Sequence, residues 1–290
     1  MSDRRWDTVL TYLAAAAGPT GVIAVDGPAE AAGLLAARLR ARSIDVSPSG
    51  DVVVRARTSR SDGRRADVAA VVDLSDPSWP ILSHADPARL PAERWYSTES
   101  RAFFAVRAAR WDAKFGDDLP AYTAAVSSSS VRPGGVAIDI GCGTGRALPP
   151  LRDAVGPAGT VIGVDHTPEM LQVAAGRARA SAATLVQGDA RQLPFATGTA
   201  DALFAAGLVT HLPDQDEALS ELARITRPGG RLILFHPTGR ATLAARHGRT
   251  LDPSELLAAD VLPAVMSRTG WSLLSYDDAP DRFHAVGQRN

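Results

Sequence analysis

From Val136 onward, short apolar, β-branched runs alternate with stretches whose apolar positions recur every three or four residues. The runs predict strands over Val136–Ile140, Thr160–Asp165, Ala183–Gln187, Ala202–Ala206 and Arg231–Phe235. The stretches between and after them predict helices over Gly145–Val155, Pro168–Ser181, Asp214–Thr226 and Pro253–Arg268. "WSLLSYDDAPDRFHAVGQR" ends the chain as two strands around Asp277–Pro280. Strands alternating with helices of this length imply a parallel sheet covered on both faces, and the final hairpin adds an antiparallel strand. Such sheets bind ligands outside the carboxyl ends of their strands, where the loops after Ile140, Val164 and Gln187 fall.

The pattern before Gly135 is less regular. Trp6–Ala17 reads as a helix, Gly21–Val25 as a buried strand and Pro28–Ala41 as a helix. Asp51–Arg57 and Ala66–Leu74 read as strands. A proline-rich stretch follows, then a helical segment from about Ser97 that carries Phe103, Phe104, Val106 and Trp111. The expected division is a small α/β unit over 1–86, a linker over 87–96 and a main domain over 97–290.

Composition narrows the function classes. With 31 basic and 32 acidic residues the formal net charge is −1, which gives no field for a nucleic acid or an anionic membrane. The single cysteine, Cys142, excludes an intramolecular disulfide and fits a reducing compartment. "MSDRRWDTVL" lacks the apolar run of a signal peptide, and no stretch reaches the roughly 20 apolar residues of a membrane span. The expectation is a cytoplasmic protein.

The candidate chemistry sits in "AIDIGCGTGRAL". Gly141, Gly143 and Gly145 let a ligand approach the backbone, and the following helix start offers free N–H groups. A dinucleotide loop is spaced G-x-G-x-x-G, whereas this one is G-x-G-x-G with Asp139 two residues ahead. Asp165 lies 165 − 145 = 20 residues beyond the last glycine, at a strand end, where a carboxylate can accept both hydroxyls of a ribose. Asp189 follows the third strand and could accept from an exocyclic adenine amino group. Each has a plainer alternative: Asp139 as a turn cap, Asp165 as an incidental strand-end acid, Asp189 as a turn residue.

"DIGCGTG", "VIGVD", "QGDARQLPF" and "RITRPGGRLIL", in that order and each at its own strand, resemble class I S-adenosylmethionine-dependent methyltransferases, especially the small-molecule branch with the quinone C-methyltransferases. The resemblance covers about Ser97 to Arg289. It implies a Rossmann-like, mostly parallel seven-stranded sheet with the last strand antiparallel, and S-adenosylmethionine as methyl donor. By the same resemblance Gly141, Cys142, Gly143 and Gly145 back the methionine end, and Asp139 orients that loop. Asp165 with His166 holds the ribose, Asp189 with Ala190 meets the adenine, and Gly207 lines the sulfonium side. The segment carrying Trp111 and Phe115 covers the cofactor in that family, and Arg246 is a candidate for touching the acceptor. Pro149 and Pro150 depart from the pattern and predict a short or kinked first helix.

His211, just after the fourth strand, is the first candidate for a catalytic base, and His236, after the fifth, is the second. Each can instead be a pocket-wall histidine, and a base is unnecessary for an acceptor that is already nucleophilic. No metal-ligand pattern is present in the sequence. Asp214 with Glu217 reads as a helix N-cap pair.

"VIAVDGPAEAAGLLAARL" resembles the phosphate loop of uridine-kinase-like P-loop proteins. The lysine position is Gly33 and the hydroxyl positions are Leu34 and Leu35, so the loop lacks the groups that hold a nucleotide. Packing, dimerisation or shaping of the substrate entrance remain as roles for 1–86, and a homodimer through it is one option. The function expected is methyl transfer to a small-molecule acceptor at O, N or C. The alternatives are a catalytically silent cofactor-binding protein and a nicotinamide-dependent oxidoreductase. A nucleic-acid methyltransferase is disfavoured by the charge balance.

Overall fold

The computed structural model describes residues 5–7, 9–11, 13, 21–42, 44–46, 52–56, 68–74, 77–78, 80–85, 99–246, 248 and 250–290. The expected linker over 87–96 lies outside them. The chain forms two compact units, Met1–Val106 and Arg107–Asn290.

In the first unit, β1 (Gly21–Asp26), β2 (Val52–Ala56), β3 (Val68–Asp73) and β4 (Ile81–Ala85) form a sheet in the order β2-β1-β3-β4. The first three run parallel and β4 is antiparallel to β3. β4 lies inside the proline-rich stretch, where punctuation by proline masks a five-residue strand at the sheet edge. Helix α1 (Ala31–Arg40) buries Leu35 and Leu39 in a core with Trp6, Leu13, Ile23 and Val72. Arg5 is buried against Glu99 as a two-pronged pair, Nη1 to Oε1 at 3.1 Å and Nη2 to Oε2 at 2.6 Å. Its Nε donates to the carbonyl of Pro80 at 2.8 Å, so every end of the buried guanidinium is used. Glu99–Val106 thereby stays with the first unit, including the short helix α2 (Arg101–Ala105).

The Gly27 loop is shaped by the core beneath it. Gly27 has φ +144°, and a Cβ there would lie 2.9 Å from the carbonyl carbon and oxygen of Leu74. The amide of Leu74 in turn donates to Asp26 O at 2.7 Å. Glu30 stands at the N-terminus of α1, where its carboxylate would repel a phosphate, and Leu35 is buried in the core. Gly27→Ala is expected to cost about 1–3 kcal/mol through this strain, read as a lower urea midpoint. An unchanged midpoint refutes the close approach to Leu74.

The second unit holds the seven-stranded sheet, in the order β10-β11-β9-β8-β5-β6-β7. Its strands are β5 (Val136–Ile140), β6 (Thr160–Asp165), β7 (Thr184–Gln187), β8 (Ala200–Ala206), β9 (Thr226–His236), β10 (Trp271–Ala279) and β11 (Arg282–Arg289). β11 is antiparallel to β9 and β10, while β7-β6-β5-β8-β9 are parallel. β8 is buried along six of its seven positions, as expected of a strand covered on both faces. Helices α3 (Trp111–Phe115), α4 (Leu119–Ser127), α5 (Leu148–Val155), α6 (Pro168–Ala180), α7 (Gln215–Ile225), α8 (Arg240–Arg246) and α9 (Leu262–Arg268) complete the unit.

Two helices are shorter than the apolar spacing suggests. α5 begins at Leu148, not Gly145, so Pro149 and Pro150 fall in its first turn, where their missing N–H groups have no intrahelical partner to lose. The helix is thus short, as expected. The predicted Pro253–Arg268 helix is real only from Leu262, because Pro263 is tolerated in a first turn and not in an interior. The Asp214 cap forms as expected, its Oδ1 accepting from the amide of Glu217 at 2.8 Å. Among the described residues no helix is long and apolar enough to cross a membrane.

Candidate cofactor and acceptor site

The loop from Gly141 to Ala147 leaves the carboxyl end of β5 and is tied to the neighbouring strand. The amide of Cys142 donates to Val164 O at 2.8 Å, and that of Gly143 to Asp165 Oδ2 at 2.9 Å. The other oxygen of Asp165 accepts from the amide of Thr167 at 2.8 Å. Asp165 therefore fastens the glycine loop to the start of α6, and each oxygen keeps a lone pair for a further donor. At Gly143, φ is +52° and a Cβ would meet no atom within 4 Å. The same test at Gly141 meets Leu208 Cδ1 at 2.9 Å. Gly143 is thus the point where a ligand can lie against bare backbone, while Gly141 is filled by the protein itself.

Asp139 is buried in β5, and burial, then the charge of Asp165, pushes its carboxyl well above the usual range. Its contribution to stability is full at low pH and falls as pH rises through that raised value. Burial also raises the thiol of Cys142, with Asp139 and Asp165 adding to it, which keeps it protonated and unreactive. His166 places Nδ1 3.7 Å from Asp165 Oδ1. Asp189 is held by Arg191: Oδ2 accepts from Nη2 at 2.6 Å, and Oδ1 from the Arg191 amide at 2.9 Å. Burial raises its pKa, but Arg191 outweighs this and holds the carboxyl below the usual range. Ala190 beside it is buried.

A network that the sequence reading did not foresee joins the segment before β5 to the glycine loop. Asp112, on α3, accepts from Thr144 Oγ1 at 2.6 Å, Arg177 Nη1 at 2.6 Å and Arg146 Nε at 3.1 Å. Burial raises its pKa, and the bonds from Thr144, Arg177 and Arg146 together bring it below the ordinary value. Arg146 also binds Asp118 through Nη1. The signal was present, since an arginine directly follows "GCGTG" and "RWDAKFGDD" holds three carboxylates. Trp111 opens α3, half-buried, and Phe115 ends it.

A cavity of about 400 Å³ opens beyond the carboxyl ends of β8 and β9. Leu208, Leu243, Leu257 and Phe283 give it apolar walls, and His236, Thr238, Arg240 and Glu255 are polar points on it. Gly207 also lines it, with its amide donating to Phe235 O at 2.9 Å. Arg246 reaches the rim by donating from Nη1 to Thr238 Oγ1 at 3.3 Å. His236 is on the wall, whereas His211 and Trp111 do not line this cavity. His211 ends a short turn, Val209–His211, with its side chain reaching solvent. Crowding by surrounding protein still disfavours the charged ring, and His236 and His166 push its pKa down further. Among the described residues no cluster of His, Cys, Asp and Glu could hold a metal ion.

The strand order and the loops at the carboxyl strand ends define the second unit as a Rossmann-like α/β domain with its candidate site at the ends of the parallel strands. Residues 138–234 match the family described as the methyltransferase domain. The chain is 32% identical over 168 residues to methyltransferase GfsG of Streptomyces halstedii, which covers 54% of this chain and 60% of that one. It is 32% identical over 124 residues to demethylmenaquinone methyltransferase of Bacillus cereus, covering 42% of this chain and 52% of that one. An uncharacterized 37.1 kDa protein of a Streptomyces fradiae transposon is 40% identical over 129 residues, covering 42% of this chain and 37% of that one. The chain thus spans between 37% and 60% of the length of these relatives. Among solved structures, the complex of the Haloferax volcanii Trm112 methyltransferase activator with a methyltransferase contains a similar chain, at TM-score 0.54 and 21% identity. That match covers 64% of this chain and 97% of the other, and it establishes a likeness of fold.

Proposed function

We propose that the chain transfers a methyl group from S-adenosylmethionine to a small-molecule acceptor. The observation that carries this reading is the bare face of Gly143 beside an Asp165 carboxylate held by two backbone amides. That pairing suits a ligand with a ribose next to a chain that must approach the backbone closely. The cofactor supplies a methyl group already activated on a sulfonium, so the protein's work is mostly positioning. In this reading Gly141, Cys142, Gly143 and Gly145 shape the methionine end, with Asp139 beneath them. Asp165 and His166 take the ribose, Asp189 and Ala190 the adenine, and Gly207 the sulfonium side. Asp189 binds the adenine amino group with lone pairs that Arg191 leaves over. The acceptor enters the cavity beside His236 and Arg246, and α3, with Trp111 and Phe115, covers the cofactor.

Calorimetric titration of the full chain tests this. S-adenosylmethionine is expected to bind with a Kd on the order of 1–100 µM, near common cofactor levels, and NADH is expected to give no heat of binding. Binding of NADH without S-adenosylmethionine overturns the reading. For the first unit we propose a structural role without nucleotide binding, since Glu30 and Leu35 occupy the ground a phosphate loop needs. Magnesium-dependent ATP hydrolysis that Gly27→Ala abolishes would refute it.

A further inference from the structure

His236 has a defined tautomer. Its Nδ1 lies 2.8 Å from the carbonyl oxygen of Thr238, and a carbonyl can only accept, so Nδ1 carries the proton. Nε2 of the neutral ring then holds the lone pair. The hydrogen bond that the ring makes runs through Nδ1. The ring edge bearing Cδ2, next to Nε2, faces Gly207: a Cβ on that glycine would sit 3.5 Å from Cδ2. Both residues line the cavity at the ends of adjacent strands, β8 and β9. A basic nitrogen thus points at the junction between the apolar cavity and the end of β8.

The carboxylate on the cavity wall is answered within the protein. Arg240 Nη2 meets Glu255 Oε2 at 3.3 Å, and Arg240 Nη1 meets Asp278 Oδ2 at 3.4 Å. A cationic amine finds no unanswered carboxylate there, whereas Nε of Arg240 is buried without a partner and Arg246 at the rim donates to the Thr238 hydroxyl. An aliphatic alcohol gives its proton to an imidazole only as the new bond forms, because its own acidity is far from that of the ring. A phenolic hydroxyl, with an acidity near that of tyrosine at about 10, lies within reach of it.

Resting on the methyltransferase reading above, we propose that the acceptor is a largely apolar phenol and that Nε2 of His236 is the base that takes its proton. As the phenolic O–H breaks, its proton passes to Nε2 and leaves an imidazolium still bonded through Nδ1–H to Thr238. An oxygen electron pair forms the new bond to the methyl carbon, and the electron pair of the broken carbon–sulfur bond stays on sulfur. The imidazolium then returns its proton to solvent.

The surroundings suit this role. Burial holds the His236 pKa below the usual histidine value, and the bond to Thr238 partly offsets that. Arg246 on α8 lowers it and Asp118, from the segment before α4, raises it; His211 lies close enough to couple. Arg240 and Glu255 face the same cavity. The ring is therefore neutral at neutral pH, and the rate should climb with pH along a limb below about 6.5.

Nitrogen-15 NMR of the full wild-type chain tests the first half, with His236→Gln used to assign the signals. A neutral, Nδ1-protonated ring at pH 7 is expected. An Nε2-protonated or cationic ring at that pH overturns the proposal. The second half is read from S-adenosylhomocysteine release with 1-naphthol, and with 2-naphthalenethiol as an acceptor that ionises without help. His236→Gln should lower kcat on 1-naphthol roughly a hundredfold, leave its KM within about threefold, and remove the acidic limb. The thiol rate should change by only a few fold. Equal losses on both acceptors, or a limb that survives in His236→Gln and vanishes in His211→Gln, overturn the base assignment. A wild-type protein that binds S-adenosylmethionine but methylates no naphthol overturns the acceptor class. Failure to bind S-adenosylmethionine sinks the underlying methyltransferase reading instead.

Discussion

Asp165→Ala should weaken S-adenosylmethionine binding roughly a thousandfold. Two losses add. The first is the charge-assisted acceptance of the ribose hydroxyls, at about 1.5–3 kcal/mol for bonds to a charged group. The second is the loop itself, because the amides of Gly143 and Thr167 lose the carboxylate oxygens that fix them, at 2.9 and 2.8 Å. A loop that samples other shapes binds in proportion to the fraction in the competent one. Asp165→Asn separates the two. It keeps one acceptor oxygen for the loop but removes the charge, so it should fall between wild type and alanine. Calorimetry gives the affinities, and the urea midpoint without ligand gives the cost to the loop. Wild-type affinity in Asp165→Ala would refute the ribose assignment.

Asp165 was legible in the sequence because its position follows from spacing: a glycine loop, one helix and one strand bring it to the strand end beside the loop. The parallel character of the main sheet was legible from the alternation of strand and helix, which calls for crossover connections. The tether between α3 and the glycine loop was not. Asp112 and Arg146 are 34 residues apart, and no local periodicity links a carboxylate on a five-residue helix to a guanidinium in a turn. The choice between His211 and His236 was also invisible. Both follow strands of the parallel sheet, and only the fold shows which lines the cavity and has a fixed tautomer. β4 was hidden by its prolines, and the first half of the expected Pro253–Arg268 helix was suggested by apolar spacing that Pro263 does not honour.

The other large effect is expected at Arg146. Its side chain is only 6% exposed and binds both Asp112 and Asp118, with Nη2 donating to the Asp112 carbonyl at 3.3 Å. Asp118 is the vulnerable partner. Burial raises its pKa, the charge of Arg146 opposes this, and its Oδ1 is buried without a hydrogen-bond partner. Arg146→Met keeps most of the side-chain volume but leaves that carboxylate uncompensated, at a cost of about 3–5 kcal/mol. The sign of the pH dependence follows. Without Arg146 the folded-state pKa of Asp118 rises further, so the folded form gains stability as pH falls and the carboxyl is protonated. The loss should therefore be larger at pH 8 than at pH 5. Adding Asp118→Asn should recover much of it at pH 8, because the amide carries no charge to leave stranded. Urea unfolding of the single and double variants at both pH values reads the cycle. A single-variant loss below about 1 kcal/mol that does not change with pH would show that the tether is a surface contact of small consequence. A large, pH-dependent loss that Asp118→Asn repairs would place the anchoring of the glycine loop in the segment before β5, ahead of the motif that announces the domain.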